Sequence, residues 1–319
     1  MKILITGGAG FIGSNLSEEL IKRGYEVTIY DNYDEYYIGK KNNIKNLAKK
    51  EECKIIEGDI LDYGKTLRTM RGNDVVIHLA AQPGVRYSRR NPEKTMKVNF
   101  LGTLNVLRVA EETSIRRIIF ASSSSVYGNP EYTPIDEEHP TNPISIYGIS
   151  KLAAEKLCLT YFKTEKLPIV ILRYHTVYGP RQRPDMAIHK WTKQIMNDEP
   201  VTVYGDGSQT RDFTYIDDVV DAIIKAIKTE GIEGEIFNIG SGKTIEIIKV
   251  IKMLAEIIGK EAKLKYEKPK LGDVKSTHAK ISKAEKLLKY KPKISIREGL
   301  SKFVEWYRIY GKDYYTRYG

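Results

Sequence analysis

The chain has 319 residues, of which 41% are hydrophobic and 29% are charged, as in an ordinary folded globular protein. No apolar stretch approaches the ~20 residues of a membrane span, and the first apolar run is too short for a secretory leader, so we expect neither membrane insertion nor export. The net charge of +11 comes from lysines scattered over amphipathic helices, which favours a solvated surface and an anionic small ligand over nucleic acid.

The cysteines and histidines predict a reducing compartment and no metal site. The two cysteines, Cys53 and Cys158, are isolated and have neither metal-binding nor redox spacing. The five histidines are scattered and form no ligand cluster. We therefore expect a cytoplasmic protein without a bound metal ion.

Residues 1–175 alternate between strand-like and helix-like segments. Short apolar runs predict strands at residues 2–6, 26–30, 54–57, 75–79, 118–121 and 169–173. Amphipathic segments between several of these strands predict helices, notably at 92–113 and 146–163, and Gly24 closes the first helix before the second strand. This alternation predicts an α/β fold with a Rossmann-type, doubly wound parallel sheet.

The pattern changes after Arg173, where glycine- and proline-containing loops interrupt shorter elements. We predict a strand at 236–239 that returns to the sheet, and helices at 216–228, 245–258, 282–289 and 296–309. We therefore expect two domains. The larger comprises residues 1–173 with 212–239, and the smaller is a mixed α/β C-terminal domain that comprises 174–211 with 240–319.

A glycine-rich loop follows the first predicted strand and opens a helix. Gly7 permits a tight turn, Gly10 allows the backbone to approach a pyrophosphate, and Gly13 allows close helix packing. The helix that begins near Phe11 and Ile12 presents backbone N–H groups and a positive dipole end to the phosphates. This placement predicts a dinucleotide-binding site in the larger domain.

Asp31, at the end of the second predicted strand, indicates which dinucleotide binds. It lies close to the expected ~20 residues beyond the glycines, where a carboxylate binds the adenosine ribose hydroxyls. Because a carboxylate repels a 2′-phosphate, NAD is favoured over NADP. Asp59 is expected near the adenine, with a simple turn aspartate as the alternative. The further residues expected to line the cofactor site are Asn32, Ile60, Leu79, Ala80 and Ala81.

Tyr147, Lys151 and Ser123 are the candidate catalytic residues. Oxidation of an alcohol needs a base, and Tyr147 can serve if its pKa falls from about 10. Lys151, one helical turn later, and a positive nicotinamide ring would favour the phenolate, and Ser123 would hydrogen-bond the same substrate oxygen. Tyr-x-x-x-Lys is common by chance in a chain with 22 tyrosines, so this interpretation depends on its position after a serine-tipped strand.

These motifs together resemble the extended short-chain dehydrogenase/reductases, and among them the nucleotide-sugar epimerase and dehydratase family, over essentially the whole chain. The matching stretches are residues 6–13, 122–128, 147–151, 178–180 and 211–213. The resemblance implies a tightly held NAD that is reduced and reoxidised within one turnover, with a UDP-sugar bound by the smaller domain. It also implies a homodimer formed by the helices at 92–113 and 146–163, whose apolar positions could equally be internal core.

The residues after Ser123 indicate which reaction of this family is favoured. Family dehydratases carry Asp-Glu there, and decarboxylases of UDP-glucuronate carry Glu at the second position, whereas this chain has Ser124 and Ser125. Epimerisation at C4 is therefore favoured. In that mechanism Tyr147 takes the C4 hydroxyl proton while NAD takes the hydride, and the 4-keto sugar then rotates. The hydride returns to the other face of C4, and Tyr147 returns the proton to the oxygen.

The choice of sugar depends on two arginines. Segments 81–88 and 178–187 resemble UDP-glucuronate 4-epimerases more than glucose epimerases. Arg86 and Arg183 suit a C6 carboxylate, because an arginine fork matches that geometry, and Ser124 could hydrogen-bond the same group. The alternative is that these arginines bind only diphosphate or another subunit.

The resemblance also assigns residues to the nucleotide and to the orientation of the sugar. It implies that Arg211 contacts the nucleotide through charge-assisted hydrogen bonds and that Asp273 lies near the uridine ribose. Thr176 stands where glucose epimerases usually carry Asn, and His175 where an aromatic residue is usual, so the orientation of the sugar stays open. Asn99 is expected to orient the backbone of the active site.

Three rival functions remain open. A UDP-glucose or UDP-N-acetylhexosamine 4-epimerase would use the same chemistry at Tyr147 without a carboxylate contact. A simple ketone reductase is disfavoured by the large C-terminal part, and it would require NAD to exchange. A non-catalytic NAD-sensing protein is disfavoured because Tyr147 and Lys151 are both present. We expect a small-molecule substrate and no nucleic-acid or membrane partner.

Overall fold

Parallel strands form the centre of the fold in the computed structural model, which describes residues 1–269 and 274–315. In chain order the strands are β1 (Lys2–Thr6), β2 (Glu26–Asp31), β3 (Cys53–Glu57), β4 (Val75–His78), β5 (Arg117–Ser123), β6 (Ile169–Tyr174), β7 (Thr176–Tyr178), β8 (Val201–Tyr204), β9 (Thr210–Arg211), β10 (Phe213–Tyr215), β11 (Ile236–Ile239), β12 (Ile245–Glu246) and β13 (Leu264–Glu267). Seven of them pair in the order β11-β6-β5-β4-β1-β2-β3, and every pair in this sheet is parallel. The predicted doubly wound parallel sheet is confirmed.

Helices cover both faces of this sheet. They are α1 (Phe11–Lys22), α2 (Lys40–Ile44), α3 (Tyr63–Met70), α4 (Val85–Arg90), α5 (Pro92–Met96), α6 (Gly102–Glu111), α7 (Ile146–Thr164), α8 (Ala187–Met196), α9 (Ile216–Lys228), α10 (Ile247–Ile258), α11 (Ser282–Leu288) and α12 (Ile296–Tyr310). None of the helices in the described ranges is long and apolar enough to cross a membrane.

The apolar runs of the strands account for this layering. Successive residues of a strand point to opposite faces, so a continuous apolar run is buried on both sides of a parallel sheet. In β1, Ile3 and Ile5 pack with Leu16 and Leu20 of α1, whereas Leu4 packs with Val106 on the other face. All six side chains are completely buried. The apolar run that predicts β1 therefore packs against a different helix layer on each face of the sheet.

The strand order reverses between β1 and β4, which are neighbours in the sheet although two strands separate them in sequence. In an open α/β sheet, the crevice at such a reversal, outside the carboxyl ends of the strands, is the usual ligand site. The predicted glycine loop follows β1 and therefore lies at this crevice. The loop is anchored there by the N–H of Gly7, which donates to the carbonyl of Tyr30 on β2 at 2.7 Å.

Two predicted helices differ from those observed. The helix expected at 92–113 is interrupted by a π-helical segment, Lys97–Leu101, between α5 and α6. Asn99 lies in that segment, and its side chain bonds to the backbone of Gln82 rather than facing solvent. The helix expected at 245–258 begins only at Ile247, because Ile245–Glu246 pairs with β9 as an antiparallel strand.

The smaller sheets lie in the C-terminal half of the chain, and one buried carboxylate lies between the strands of two of them. They pair β7 with β10, β9 with β12, and β8 with β13. Asp212, between β9 and β10, accepts hydrogen bonds from the N–H and hydroxyl of Ser241, both at 2.7 Å, and from the N–H groups of Gly242 and Ala279, both at 3.1 Å. Asp212 is completely buried, so these bonds fix three chain segments relative to one another.

A buried ion pair joins α7 to two central strands. Arg173 of β6 donates to Glu155 of α7, with Nη2 to Oε2 at 2.7 Å and Nε to Oε1 at 3.0 Å. Ser122 of β5 also donates to this carboxylate, and Arg173 Nη1 donates to the hydroxyl of Tyr127 at 2.9 Å. The Arg173 and Glu155 side chains are only 4% and 1% exposed. This network locks α7 against the carboxyl ends of β5 and β6.

We expect Arg173→Met to lower the free energy of unfolding by about 3–5 kcal/mol, because Glu155 would stay buried without its cation. The matched control is Arg297→Met, whose partner is Glu256 and whose side chain is 57% exposed. Its expected loss is below about 1 kcal/mol, since exposed ion pairs contribute little. Urea unfolding followed by circular dichroism measures both losses. Equal losses in the two variants would contradict the structural role of the buried pair.

Candidate active site

A cavity of about 1120 Å³, including the part open to solvent, lies at the crevice between β1 and β4. Its walls come from the glycine loop, the ends of β2 to β6 and the first turns of α7. The structure brings together here every residue proposed from the sequence for the cofactor, namely Gly7, Gly10, Phe11, Ile12, Gly13, Asp31, Asn32, Asp59, Ile60, Leu79, Ala80, Ala81, Tyr147 and Lys151. Arg183 lines the same cavity.

The glycine loop has room for backbone but not for side chains. Gly7 has a positive φ of 71°, and a Cβ there would lie 2.7 Å from the nitrogen of Ala80. A Cβ on Gly13 would lie 2.7 Å from the Cα of Gly8. Gly10 precedes the first turn of α1 and faces the cavity. Because the glycines carry no side chains, the N-terminus of α1 stays accessible from the cavity. Its backbone N–H groups suit the pyrophosphate of NAD.

The carboxylate of Asp31 is buried at one end of the cavity. It accepts hydrogen bonds from the N–H groups of Ala9 at 3.2 Å and Tyr33 at 2.8 Å, and from Lys40 Nζ at 3.2 Å. A carboxylate has about four acceptor positions, so Asp31 retains capacity for a ribose hydroxyl. Lys40 also lines the cavity, and the sequence patterns had not indicated it.

Asp59 makes the contact of a turn aspartate and also lines the cavity, and its place near the adenine stays a prediction. Its Oδ1 accepts from the N–H of Leu61 at 2.8 Å, as in a turn, and its Oδ2 accepts from Asn32 Nδ2 at 2.9 Å. Asp59, Asn32 and Ile60 all face the cavity beside Asp31. This end of the cavity therefore offers carboxylate and amide groups to the adenosine part of NAD.

Tyr147 and Lys151 are held on one face of α7. The helix begins after Ser145, whose hydroxyl accepts from the N–H of Gly148 at 3.0 Å. The N–H of Tyr147 donates to Ser88 Oγ at 3.1 Å. Lys151 is 4% exposed, and its Nζ lies 4.6 Å from the centre of the Phe120 ring. Burial lowers the pKa of Lys151 to about 8.

The pKa of Tyr147 differs from expectation. Burial raises it above its usual value of 10, and the effects that oppose burial are the positive charge of Arg183 and a hydrogen bond with Ser123. Burial is the largest influence on the pKa of Tyr147, and the lowering by Lys151 together with a bound nicotinamide ring stays a prediction. Ser123 also caps the turn that follows β5 by accepting from the N–H of Ser125 at 3.1 Å.

Asn99 connects the cofactor wall to the catalytic helix. Its Oδ1 accepts from the N–H of Gln82 at 2.6 Å, and its Nδ2 donates to the carbonyl of Gln82 at 3.1 Å and to Ser150 Oγ at 2.9 Å. Ser150 in turn donates to the carbonyl of Tyr147 at 2.7 Å. The expected orienting contacts of Asn99 are therefore present, and they require the π-helical distortion described above.

Arg183 lines the cavity and forms an ion pair with Asp185. Its Nε donates to Asp185 Oδ1 at 3.0 Å, and its Nη2 donates to Asp185 Oδ2 at 3.1 Å. The hydroxyl of Tyr36 donates to the same Oδ2 at 2.9 Å. The sequence analysis had not proposed Asp185 or Tyr36. Asp185 follows Arg183 by two residues in one loop, which is a detectable signal, whereas Tyr36 is 149 residues away from Asp185.

The other substrate candidates lie outside the wall of this cavity. Arg86 is exposed, and its guanidinium lies 4.9 Å from the centre of the Tyr204 ring. Arg211 of β9 donates to the carbonyl of Thr210 at 2.8 Å. Thr176 begins β7, and Ser124 begins the turn after β5. Asp273 lies outside the described residues.

No group of three or more His, Cys, Asp or Glu side chains among residues 1–269 and 274–315 is placed to hold a metal ion. The two cysteines, Cys53 and Cys158, are both unbridged.

We expect Gly7→Ala to weaken NAD binding at least about tenfold, because the new methyl group would overpack the wall at Ala80. Gly24→Ala is the matched control. It has a similar positive φ of 79°, but nothing lies within 4 Å of its Cβ. Titration calorimetry with NAD measures the affinity, and circular dichroism verifies folding. If Gly24→Ala weakened NAD binding as strongly, backbone strain rather than close approach would explain the effect.

The comparisons with known proteins agree with this geometry. The family model described as the NAD dependent epimerase/dehydratase family matches residues 3–240. A UDP-glucuronate 4-epimerase of Thermodesulfobacterium geofontis is 41% identical over 309 residues, covering 95% of each chain. The crystal structure of UDP-glucuronic acid 4-epimerase from Bacillus cereus in complex with UDP-glucuronic acid and NAD is 41% identical, with a TM-score of 0.94 over 97% of this chain and 99% of that chain. A UDP-glucose 4-epimerase structure from Thermotoga maritima is 35% identical, with a TM-score of 0.91 over 97% and 99% of the two chains. This chain therefore belongs to the NAD-dependent epimerase/dehydratase family.

Proposed function

We propose that this protein is an NAD-dependent UDP-sugar 4-epimerase that interconverts UDP-glucuronate and UDP-galacturonate. The observation that carries the proposal is the shared cavity of the glycine loop, Tyr147, Lys151 and Arg183. The glycine loop and the pair Tyr147 and Lys151 suit reversible oxidation of an alcohol carbon. Arg183 adds a cation beside the base, which suits a sugar with a carboxylate at C6.

The residues of the chain divide the work between proton transfer and positioning. Tyr147 takes the proton of the C4 hydroxyl and returns it after the 4-keto sugar has rotated. Ser123 hydrogen-bonds the reacting oxygen, and its bond with Tyr147 favours the phenolate. When bound, NAD supplies the hydride acceptor and donor and a positively charged ring that also favours the phenolate. Lys151 is protonated below pH of about 8, so at neutral pH it contributes a positive charge.

Arg183 is the proposed contact for the C6 carboxylate. It uses Nε and Nη2 for Asp185, and a guanidinium has five N–H donors, so donors remain for a substrate. Ser124 follows directly on the strand end that carries Ser123, and we assign it to the same carboxylate. UDP-glucose is the alternative substrate, because Asp185 already balances Arg183 and a neutral C6 hydroxymethyl group would not disturb that pair.

We assign the uridine diphosphate to residues 174–211 with 240–319, which contain Thr176, Arg211 and Asp273, and NAD to the remaining residues. Arg86 is assigned to the diphosphate or to the closure of the cavity through its contact with Tyr204. We further propose a cytoplasmic homodimer. Leu101 and Ile149, on the two helical segments proposed for the interface, are 46% and 47% exposed, whereas Leu107 is buried in the core.

The proposed substrate is tested by incubating the protein with UDP-glucuronate and, separately, with UDP-glucose, and identifying products by NMR. We expect UDP-galacturonate without UDP-xylose. Arg183→Gln should lower kcat/KM for UDP-glucuronate by about 10²-fold relative to UDP-glucose, because it removes a charge-assisted contact. Arg181→Gln is the control, since Arg181 lies in the same loop and pairs with Glu18. UDP-galactose as the product, or an unchanged preference in Arg183→Gln, would favour the glucose epimerase.

Tyr147→Phe should reduce turnover by at least about 10²–10⁴-fold, because it removes the general base. NAD binding should persist, since the ring and its place on α7 are retained. Turnover is followed by NMR and NAD affinity by titration calorimetry. A Tyr147→Phe protein with normal turnover would exclude the mechanism, and one that had lost NAD would show that the hydroxyl serves binding instead.

A further inference from the structure

The segment at residues 32–44 forms one wall of the cofactor cavity, and we call it the covering segment. It runs from the end of β2 through α2. Lys40 of this segment donates to Asp31 at 3.2 Å, and Asn43 Nδ2 donates to the carbonyl of Ala9 in the glycine loop at 2.8 Å. The hydroxyl of Tyr36 donates to Asp185, which holds Arg183. The covering segment therefore touches both the dinucleotide loop and the residues assigned to the sugar.

The C-terminal residues Tyr314 and Tyr315 hold the covering segment in place. The hydroxyl of Tyr314 donates to Asn43 Oδ1 at 2.7 Å, and the N–H of Ile38 donates to the carbonyl of Tyr315 at 2.8 Å. Tyr314 is 7% exposed, and its ring centre lies 4.9 Å from that of Trp306 on α12. A Cβ on Gly39 would run into the Tyr314 ring. Tyr314 thus fits closely between α12 and the covering segment.

Asn43 is the link between these two sets of contacts. Its amide oxygen accepts from Tyr314, and its amide nitrogen donates to Ala9, so both polar atoms of the side chain are used in one chain of hydrogen bonds. Asn43 is 4% exposed, and a buried amide of this kind loses a full hydrogen bond if one partner is removed. The position of the glycine loop therefore depends on a residue 271 positions further along the chain from Asn43.

We propose that Tyr314 and Asn43 are positioning residues that determine how long NAD stays bound. They clamp the covering segment onto the glycine loop, so NAD leaves only when this contact opens. An epimerase that reduces and reoxidises the same NAD within one turnover benefits from such a clamp, because escape of the cofactor between the two steps would leave the sugar oxidised. The proposal concerns the cofactor and holds whichever UDP-sugar is the substrate.

The test measures the dissociation rate of NAD rather than activity. Full-length protein is loaded with radiolabelled NAD, chased with an excess of unlabelled NAD, and filtered at intervals to follow the retained label. Tyr314→Phe keeps the ring and removes the hydroxyl, and we expect it to raise the dissociation rate about 3–10-fold, as for the loss of one buried hydrogen bond. Tyr314→Ala should raise it further, and Asn43→Ala, which removes the bonds to both Tyr314 and Ala9, should raise it at least as much as Tyr314→Phe.

Tyr315→Ala is the matched control, because its side chain is 51% exposed and its contact to Ile38 is made by the backbone. Its dissociation rate should equal that of the unmodified protein. A Tyr314→Phe protein with an unchanged rate, or a Tyr315→Ala protein with an equal increase, would overturn the proposal. The double variant Tyr314→Phe/Asn43→Ala should release NAD no faster than Asn43→Ala alone, and additive increases in the dissociation rate would show that the two residues act separately.

Discussion

The catalytic geometry depends on the buried ion pair between Glu155 and Arg173. Residues 147, 151 and 155 lie one helical turn apart and share a face of α7. Tyr147 and Lys151 face the cofactor cavity, and Glu155, one turn deeper, is bound to Arg173 of β6 and Ser122 of β5. Rotation or sliding of α7 would strand a buried charge, which is costly. The ion pair therefore fixes both the position and the rotation of the helix that carries the base.

Opposite charges balance the cations that surround the base. Lys40 is paired with Asp31 and Arg183 with Asp185, whereas Lys151 lies over Phe120 and has a pKa lowered to about 8. Tyr147, in the same cavity, has a pKa raised by burial, which only Arg183 and Ser123 are found to oppose. Burial thus favours the neutral phenol, and a positively charged nicotinamide ring would favour the phenolate. This arrangement suits a base that works only when the cavity is filled.

The sequence predicts the parts of this site whose signals are local. The Gly7, Gly10 and Gly13 spacing and the four-residue separation of Tyr147 and Lys151 each lie within one turn or one helix, so periodicity and turn chemistry reveal them. Tyr36 with Asp185, and Asn43 with Tyr314, are pairs separated by 149 and 271 residues, which no local pattern encodes. The break of the predicted helix near Asn99 has the same origin, since the contact that accompanies it is made to Gln82. The contact of Arg86 with Tyr204 is likewise made between residues far apart in sequence, and no local pattern indicates it.

With Arg183 as the proposed contact for the sugar carboxylate, one guanidinium would couple sugar recognition to the pKa of Tyr147. Arg183 contributes to lowering the pKa of Tyr147, and its Nε and Nη2 atoms are occupied by Asp185. A substrate carboxylate that binds Arg183 would bring a second anion to a cation that is already balanced, so it would weaken the effect of Arg183 on Tyr147. Tyr36 moderates this competition, because its hydroxyl donates to Asp185. This bond would stabilise the Asp185 carboxylate while Arg183 also binds the substrate. Tyr36 belongs to the covering segment, which also contacts Asp31 and the glycine loop. The covering segment would therefore also influence the net charge around Arg183. The two ends of the cavity are therefore not independent, and changes in the covering segment should alter cofactor retention and sugar preference together.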